Sequence, residues 1–183
     1  MDMREKTVSS TVIYDGCVLH VCRDEVQLPN GEPAVREYAK HVGAVCVLPL
    51  TDDGEVILEH QFRYPFHDIL LEIPAGKLNF AEEDPREAAL RELREETGAV
   101  PRELIYLGDY IGSPAILGER VRMFFARGLT FTEQQLDEDE FLEVIRMPFE
   151  KLLDEVMAGR VPDGKTQVAA LRVAAILAKE KQA

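Results

Sequence analysis

Basic residues are scarce in this chain. Its 21 Lys and Arg stand against 34 Asp and Glu, a formal net charge of −13 over 183 residues. So acidic a chain is a poor non-specific nucleic-acid binder, because that binding needs a basic face to neutralise phosphates. Cysteines are few as well: Cys17, Cys22 and Cys46. An odd number without metal-ligand spacing argues against a disulfide framework and against zinc. It reads as buried free thiols in a reducing cytoplasm. On one strand, Cys17 and Cys22 would point to opposite faces. No apolar run is long enough to span a bilayer and no signal-peptide pattern opens the chain, so no membrane association is expected. The four histidines (His20, His41, His60, His67) are scattered and form no metal-spaced pair. There is no internal repeat and no low-complexity tract. The length suits one soluble domain with a full core.

What the chain does have is a dense acidic helix. Residues 91–99 read RELREETGA, with Glu92, Glu95 and Glu96 close together before a glycine. Like charges at i,i+3 and i,i+4 repel. Asp84 is placed to cap this helix, Pro85 suits its first position and Gly98 its end. Ala89, Leu93 and Thr97 recur at four-residue spacing, with Leu90 beside them, and are expected to face the core. At roughly 100° per residue, Glu92, Glu95 and Glu96 then share one quadrant of the other, exposed side. An acidic run on a helix is more often a solvated face. The alternative is a hard divalent cation such as Mg²⁺, which takes oxygen ligands and works with phosphates; Mn²⁺ is the second choice.

The remaining pattern predicts an α/β (α+β) chain. Residues 9–14, 17–27 and 34–42 read as a short antiparallel β-meander, with turns at Tyr14-Asp15-Gly16 and Pro29-Asn30-Gly31. Residues 43–50 and 55–61 read as strands buried on both sides. Further strands are expected at 69–73, 103–111, 119–127 and 141–147. Helices are expected from Pro148-Phe149 to near Gly159 and from about Thr166 to Lys181. The division expected is 1–42 as the meander and 43–183 as the main domain. The meander is too small to hold a core of its own.

The acidic helix belongs to a longer pattern. Gly76, Glu83, Arg91, Glu92, Leu93, Glu95, Glu96, Gly98 and Ala99 fill the fixed positions of G-x5-E-x7-R-E-U-x-E-E-x-G-U, the box of the Nudix hydrolase family. The chain resembles that family, with one departure: six residues, not five, separate Gly76 from Glu83. Taking Glu82 instead restores that spacing and breaks the next. Gln61 to Pro65 with Leu71 to Gly76 is similar to the Q-x-R-x-P … E-x-P-A-G pattern of the ADP-ribose pyrophosphatase-like branch. Pro114, fifteen residues after Ala99, is a marker of the same branch, although Ala115 stands where glycine is frequent. Residues 159–166 (GRVPDGKT) are similar to its G-x-I-x-D-x-x-T segment.

The resemblance implies a Nudix fold, a mixed β-sheet sandwiched between helices, with the meander packing across a homodimer. It implies hydrolysis of the pyrophosphate of ADP-ribose to AMP and ribose 5-phosphate. Two other readings remain: a nucleotide-sugar pyrophosphatase acting on GDP-mannose or UDP-glucose, and a non-catalytic nucleotide-sensing domain. By the same resemblance, Glu92, Glu96, the Ala75 carbonyl and Glu140 hold the metal, and Glu95 ligates or orients beside them. Glu138 is the expected general base, with Glu119 as runner-up, since glutamates that hold a cation lose basicity. Arg91 and Glu83 read as a structural ion pair, and Glu87 as solvated. Arg63 is a candidate phosphate or ribose contact. Glu72 contacts a ribose or base, or forms a salt bridge. Arg36 and Tyr38 could reach the substrate across a dimer.

Overall fold

A computed structural model describes residues 1–136 and 140–182, and the chain divides into two compact units. The first comprises residues 1–43 and 111–120, the second residues 44–110 and 121–183.

In the first unit, β1 (Lys6–Asp15), β2 (His20–Gln27) and β3 (Pro33–Lys40) form an antiparallel sheet in that order. Cys22, Asp24 and Val26 alternate inward along β2, as the two-residue period of a strand requires. Residues 111–120 dock on β3 through the backbone. Ala39 N–H donates to the Ile116 carbonyl at 2.8 Å, and Gly118 N–H donates to the Ala39 carbonyl at 2.9 Å. Cys17 is an exposed free thiol in the turn before β2, so the expectation of three buried thiols fails there; Cys22 and Cys46 are buried.

The second unit is a seven-stranded mixed sheet with helices on both faces. Its strands are β4 (Ala44–Leu50), β5 (Glu55–Arg63), β6 (Asp68–Glu72), β7 (Ala75–Lys77), β8 (Ala99–Tyr110), β9 (Val121–Phe131) and β10 (Leu142–Pro148). The main order is β10-β5-β4-β9-β8, with β6 paired to β5 and β7 paired to β4. β4 and β9 run parallel, the other pairs antiparallel. Its helices are α1 (Pro85–Thr97), α2 (Phe149–Met157) and α3 (Gly164–Glu180). The sequence pattern has no separate strand at β7, because three residues leave no period to read.

The side-chain period of β4 sorts the core into two layers. Ala44, Cys46, Leu48 and Leu50 face Phe149, Leu152 and Val156 of α2 and Ala169, Ala170 and Val173 of α3. Val45 and Val47 face Ala88, Ala89 and Leu93 of α1. All seven β4 residues are therefore buried. Each large aliphatic side chain so enclosed contributes about 1.5–3 kcal/mol. The fold is α+β, a mixed sheet between helices with N-terminal antiparallel strands.

Candidate active site

α1 starts and stops where its local chemistry dictates. Asp84 accepts a hydrogen bond from Arg86 N–H at 2.8 Å, and Pro85 occupies the first turn. Gly98 ends the helix at φ +70°, and a Cβ there would come within 2.3 Å of the Thr132 carbonyl oxygen. The segment after β9 closes over this end. Thr132 N–H donates to the Gly98 carbonyl at 2.7 Å, Gln134 Nε2 to the Glu96 carbonyl at 2.6 Å, and Gln135 N–H to the Glu95 carbonyl at 2.9 Å. These bonds satisfy carbonyls that a helix terminus leaves orphaned. They also anchor the chain just before the acidic residues 137–140.

The acidic side of α1 is not exposed. Glu92 and Glu96 are buried and Glu95 half-buried, where β4 and β7 pack against the helix. Ala75 N–H donates to Glu96 Oε2 at 3.0 Å. A Cβ on Gly76 would fall within 2.3 Å of the Glu92 carboxylate oxygens, so any side chain there would displace that carboxylate. Arg91 braces the group, with Nη1 at 2.7 Å from Glu92 and 3.2 Å from Glu95, and Nη2 at 3.3 Å from Glu83. The Arg91–Glu83 pair agrees with the sequence reading, and Glu87 is exposed. Asn79 N–H donates to the other Glu83 oxygen at 2.5 Å, which closes the loop that is one residue longer than the family pattern.

Two charged residues near these groups escaped the sequence reading. Glu59, in the middle of β5, is fully buried, and neither carboxylate oxygen has a hydrogen-bond partner among the described residues. The signal was a lone carboxylate inside the apolar run VILEH. Lys165, at the start of α3, reaches Glu72 and lies 3.1 Å from Asp163. Its position follows from the GRVPDGKT segment: Asp163 caps α3 by accepting from Thr166 N–H at 2.9 Å, and Thr166 Oγ1 accepts from Ile73 N–H at 2.9 Å.

Electrostatics follow from burial. Burial pushes the Glu96 carboxyl up, and the charges of Glu59, Glu92 and Glu140 push the same way; the Ala75 N–H opposes them. Burial also raises Glu59, against the nearby Lys165, and raises Glu92, against Arg91. Glu72 goes the other way. Burial would raise it, but Arg63 and Lys165 outweigh burial and hold its carboxyl at about 2. Arg63 grips Glu72 with both arms, Nε to Oε1 at 2.7 Å and Nη2 to Oε2 at 2.8 Å. The salt-bridge alternative for Glu72 is thus what the geometry displays.

A polar cavity of about 330 Å³ opens over these groups, with Gln61, Arg63, Gly76, Glu92, Glu95 and Glu140 among its walls. Among the described residues, no group of three or more His, Cys, Asp or Glu side chains is arranged to hold a metal ion. The donor types nonetheless suit a hard divalent cation: they are oxygens only, from four glutamates that interact through space, one of them with both oxygens unpartnered, and from the Ala75 carbonyl. Glu138 lies outside the described residues. Arg36 and Glu119 belong to the first unit. There Arg36 pairs with Glu5, and Glu119 Oε1 is 3.5 Å from His41 Nε2.

Residues 40–172 match the family model described as NUDIX domain, and residues 5–39 match the model described as nucleoside diphosphate sugar hydrolase N-terminal domain. The chain belongs to the Nudix family. It is 43% identical over 169 residues to an ADP-ribose pyrophosphatase of Bacillus subtilis, covering 91% of each chain. It is 38% identical over 167 residues to a methanol dehydrogenase activator of Bacillus methanolicus, covering 90% of each. A crystal structure of an ADP compounds hydrolase shares the fold, with a TM-score of 0.86 over all of both chains at 20% identity.

Proposed function

We propose that this enzyme hydrolyses the pyrophosphate of ADP-ribose to AMP and ribose 5-phosphate with Mg²⁺, Mn²⁺ being the alternative cation. The observation that carries the reading is the cavity in which Glu92, Glu95 and Glu140 meet Arg63, beside the buried Glu96. The 43% identity to an ADP-ribose pyrophosphatase supports the choice of substrate. Glu92, Glu96, Glu140 and the Ala75 carbonyl would hold the cation, with Glu95 orienting beside them. A bound divalent cation neutralises diphosphate charge and acidifies a water molecule. Arg63, held by Glu72, offers planar donors to a phosphate or the terminal ribose. The chain's own charge of −13 repels an anionic substrate, so binding depends on this local neutralisation. ADP-ribose should therefore be cleaved with Mg²⁺ and left intact in excess EDTA, read by phosphate release after coupling to a phosphatase. Cleavage that persists in EDTA overturns the metal assignment.

A second reading, hydrolysis of a nucleotide sugar such as GDP-mannose, is favoured by the N-terminal match to a nucleoside diphosphate sugar hydrolase domain. The same assay on a panel of nucleoside diphosphate derivatives discriminates: the higher kcat/KM identifies the substrate.

The base that takes the proton from water is assigned to Glu138, with Glu119 as the rival. Glu138→Gln should lose on the order of 10²-fold or more in kcat with little change in KM. If Glu119→Gln carries that loss instead, the base belongs to the loop at 111–120.

The thiols of Cys17 and Cys22, which form no disulfide, support a cytoplasmic setting. Among the described residues, no helix is long and apolar enough to cross a membrane. We also assign a homodimer through the N-terminal meander, with Arg36 reaching the partner's substrate. All ten residues of β1 are exposed, with Val8, Val12, Ile13 and Tyr14 each at least half exposed. A specific interface buries on the order of 1,600 Å², and such a strand supplies apolar area for one. Sedimentation at micromolar concentration should give twice the chain mass of 20.6 kDa; a monomer refutes the assignment.

A further inference from the structure

Glu59 occupies the centre of β5, opposite Glu72 on β6 and Val144 on β10. It is fully buried, and both of its oxygens lack a hydrogen-bond partner among the described residues. Proteins seldom leave a carboxylate in that state, because desolvation strongly disfavours the charge unless something neutralises it. The nearby cations do not. Arg63 and Lys165 act on Glu59 only through space, since both are bound to Glu72. Its near neighbour is another acid: Glu59 acts on Glu96 more strongly than Glu92 or Glu140 does. On β5, Glu59 shares its face with Gln61 and Arg63, which line the cavity, so two buried carboxylates that act on each other through space belong to one site of oxygen donors.

We propose that Glu59 is an oxygen donor to a divalent cation held between it and Glu96, a ligand that the G-x5-E-x7-R-E-U-x-E-E-x-G-U box does not contain. The inference rests on the divalent-cation reading of the site, and not on the choice of ADP-ribose as substrate. It accounts for both unpartnered oxygens of Glu59 at once. It also gives a reason for a carboxylate in the middle of an otherwise apolar strand.

The test is binding of Mn²⁺ to the metal-free protein without substrate, with free Mn²⁺ counted by electron paramagnetic resonance. Glu59→Gln keeps the side-chain shape and should weaken one class of bound Mn²⁺ at least tenfold, or remove it; changes beside metal ligands alone cost roughly 10–100-fold. Glu59→Asp, with the carboxylate drawn back by one methylene, should fall between wild type and Glu59→Gln. Glu87→Gln, on the exposed side of α1, should bind as wild type does. Wild-type number and affinity in Glu59→Gln overturn the proposal. So does a uniform drop below about threefold in every class, the signature of a lost charge acting at a distance. If Glu59→Gln does not fold, Glu59→Asp decides alone, and wild-type affinity there is the refuting result. Should Glu92→Gln and Glu96→Gln weaken Mn²⁺ while Glu59→Gln does not, the cation reading stands and this inference falls. Wild-type protein that binds no Mn²⁺ refutes the cation reading itself.

Discussion

Glu96→Gln is expected to cut turnover of ADP-ribose by on the order of 10³-fold while the protein stays folded. The side chain is buried at 2% exposure, so its surroundings are fixed by packing. The amide keeps the shape, and its carbonyl oxygen can still accept the Ala75 N–H. What disappears is the negative charge that faces Glu59, Glu92 and Glu140. A metal's stabilisation of developing charge amounts to several kcal/mol, and each 1.36 kcal/mol is tenfold in rate. Losing about 4 kcal/mol of it gives the stated factor. The metal-free variant should melt no lower than wild type, since the amide replaces a carboxyl whose charge burial and acidic neighbours already disfavour. Glu92→Gln should act in the same direction. The check is kcat at saturating Mg²⁺ beside a thermal melt without metal. Turnover within threefold of wild type removes Glu96 from the ligand set.

Glu72→Gln is expected to act on stability first. Its carboxylate is enclosed by Arg63 and Lys165, and all three side chains are substantially buried. Removing one member of a buried ion pair leaves uncompensated charge, which costs about 3–5 kcal/mol. For a chain of this length that is a fall in Tm of roughly 10 °C. The pH dependence has a definite sign. The folded carboxyl sits at about 2 against an ordinary 4.5, so it is depressed. Its stabilisation, about 3 kcal/mol from that difference, is complete above pH 4.5 and fades as pH falls toward 2. The Tm gap between wild type and Glu72→Gln should thus be widest near neutral pH and narrow below about pH 5. Calorimetric melts from pH 7 to pH 4 measure it. A gap that is small at pH 7, or that widens in acid, refutes the account. Arg63 released from Glu72 should also raise KM, because Glu72, gripping Nε and Nη2, fixes the guanidinium at the cavity wall.

The local chemistry of the chain was sufficient for α1. Asp84, Pro85 and Gly98 act within a few residues of themselves, so the helix begins and ends where they stand. The four-residue spacing of Ala89, Leu93 and Thr97 likewise determined which side meets the sheet. The apolar runs of β4 and β5 carried both core layers, because a strand buried on two faces is apolar on both, with Glu59 the exception. Arg91 and Glu83 could be paired because they belong to one motif. Only the tertiary structure decided the rest, and for one reason: burial belongs to neighbours far away in the chain. Glu92 and Glu96 are enclosed where β4 and β7 pack against α1, which no helical period reveals. Glu72 meets Lys165 across 93 residues of sequence. The loop at 111–120 docks on Ala39 through backbone groups that carry no side-chain signature. Glu59 looked like an interruption of an apolar strand until the fold brought it within electrostatic reach of Glu96, on which Glu92 and Glu140 also act.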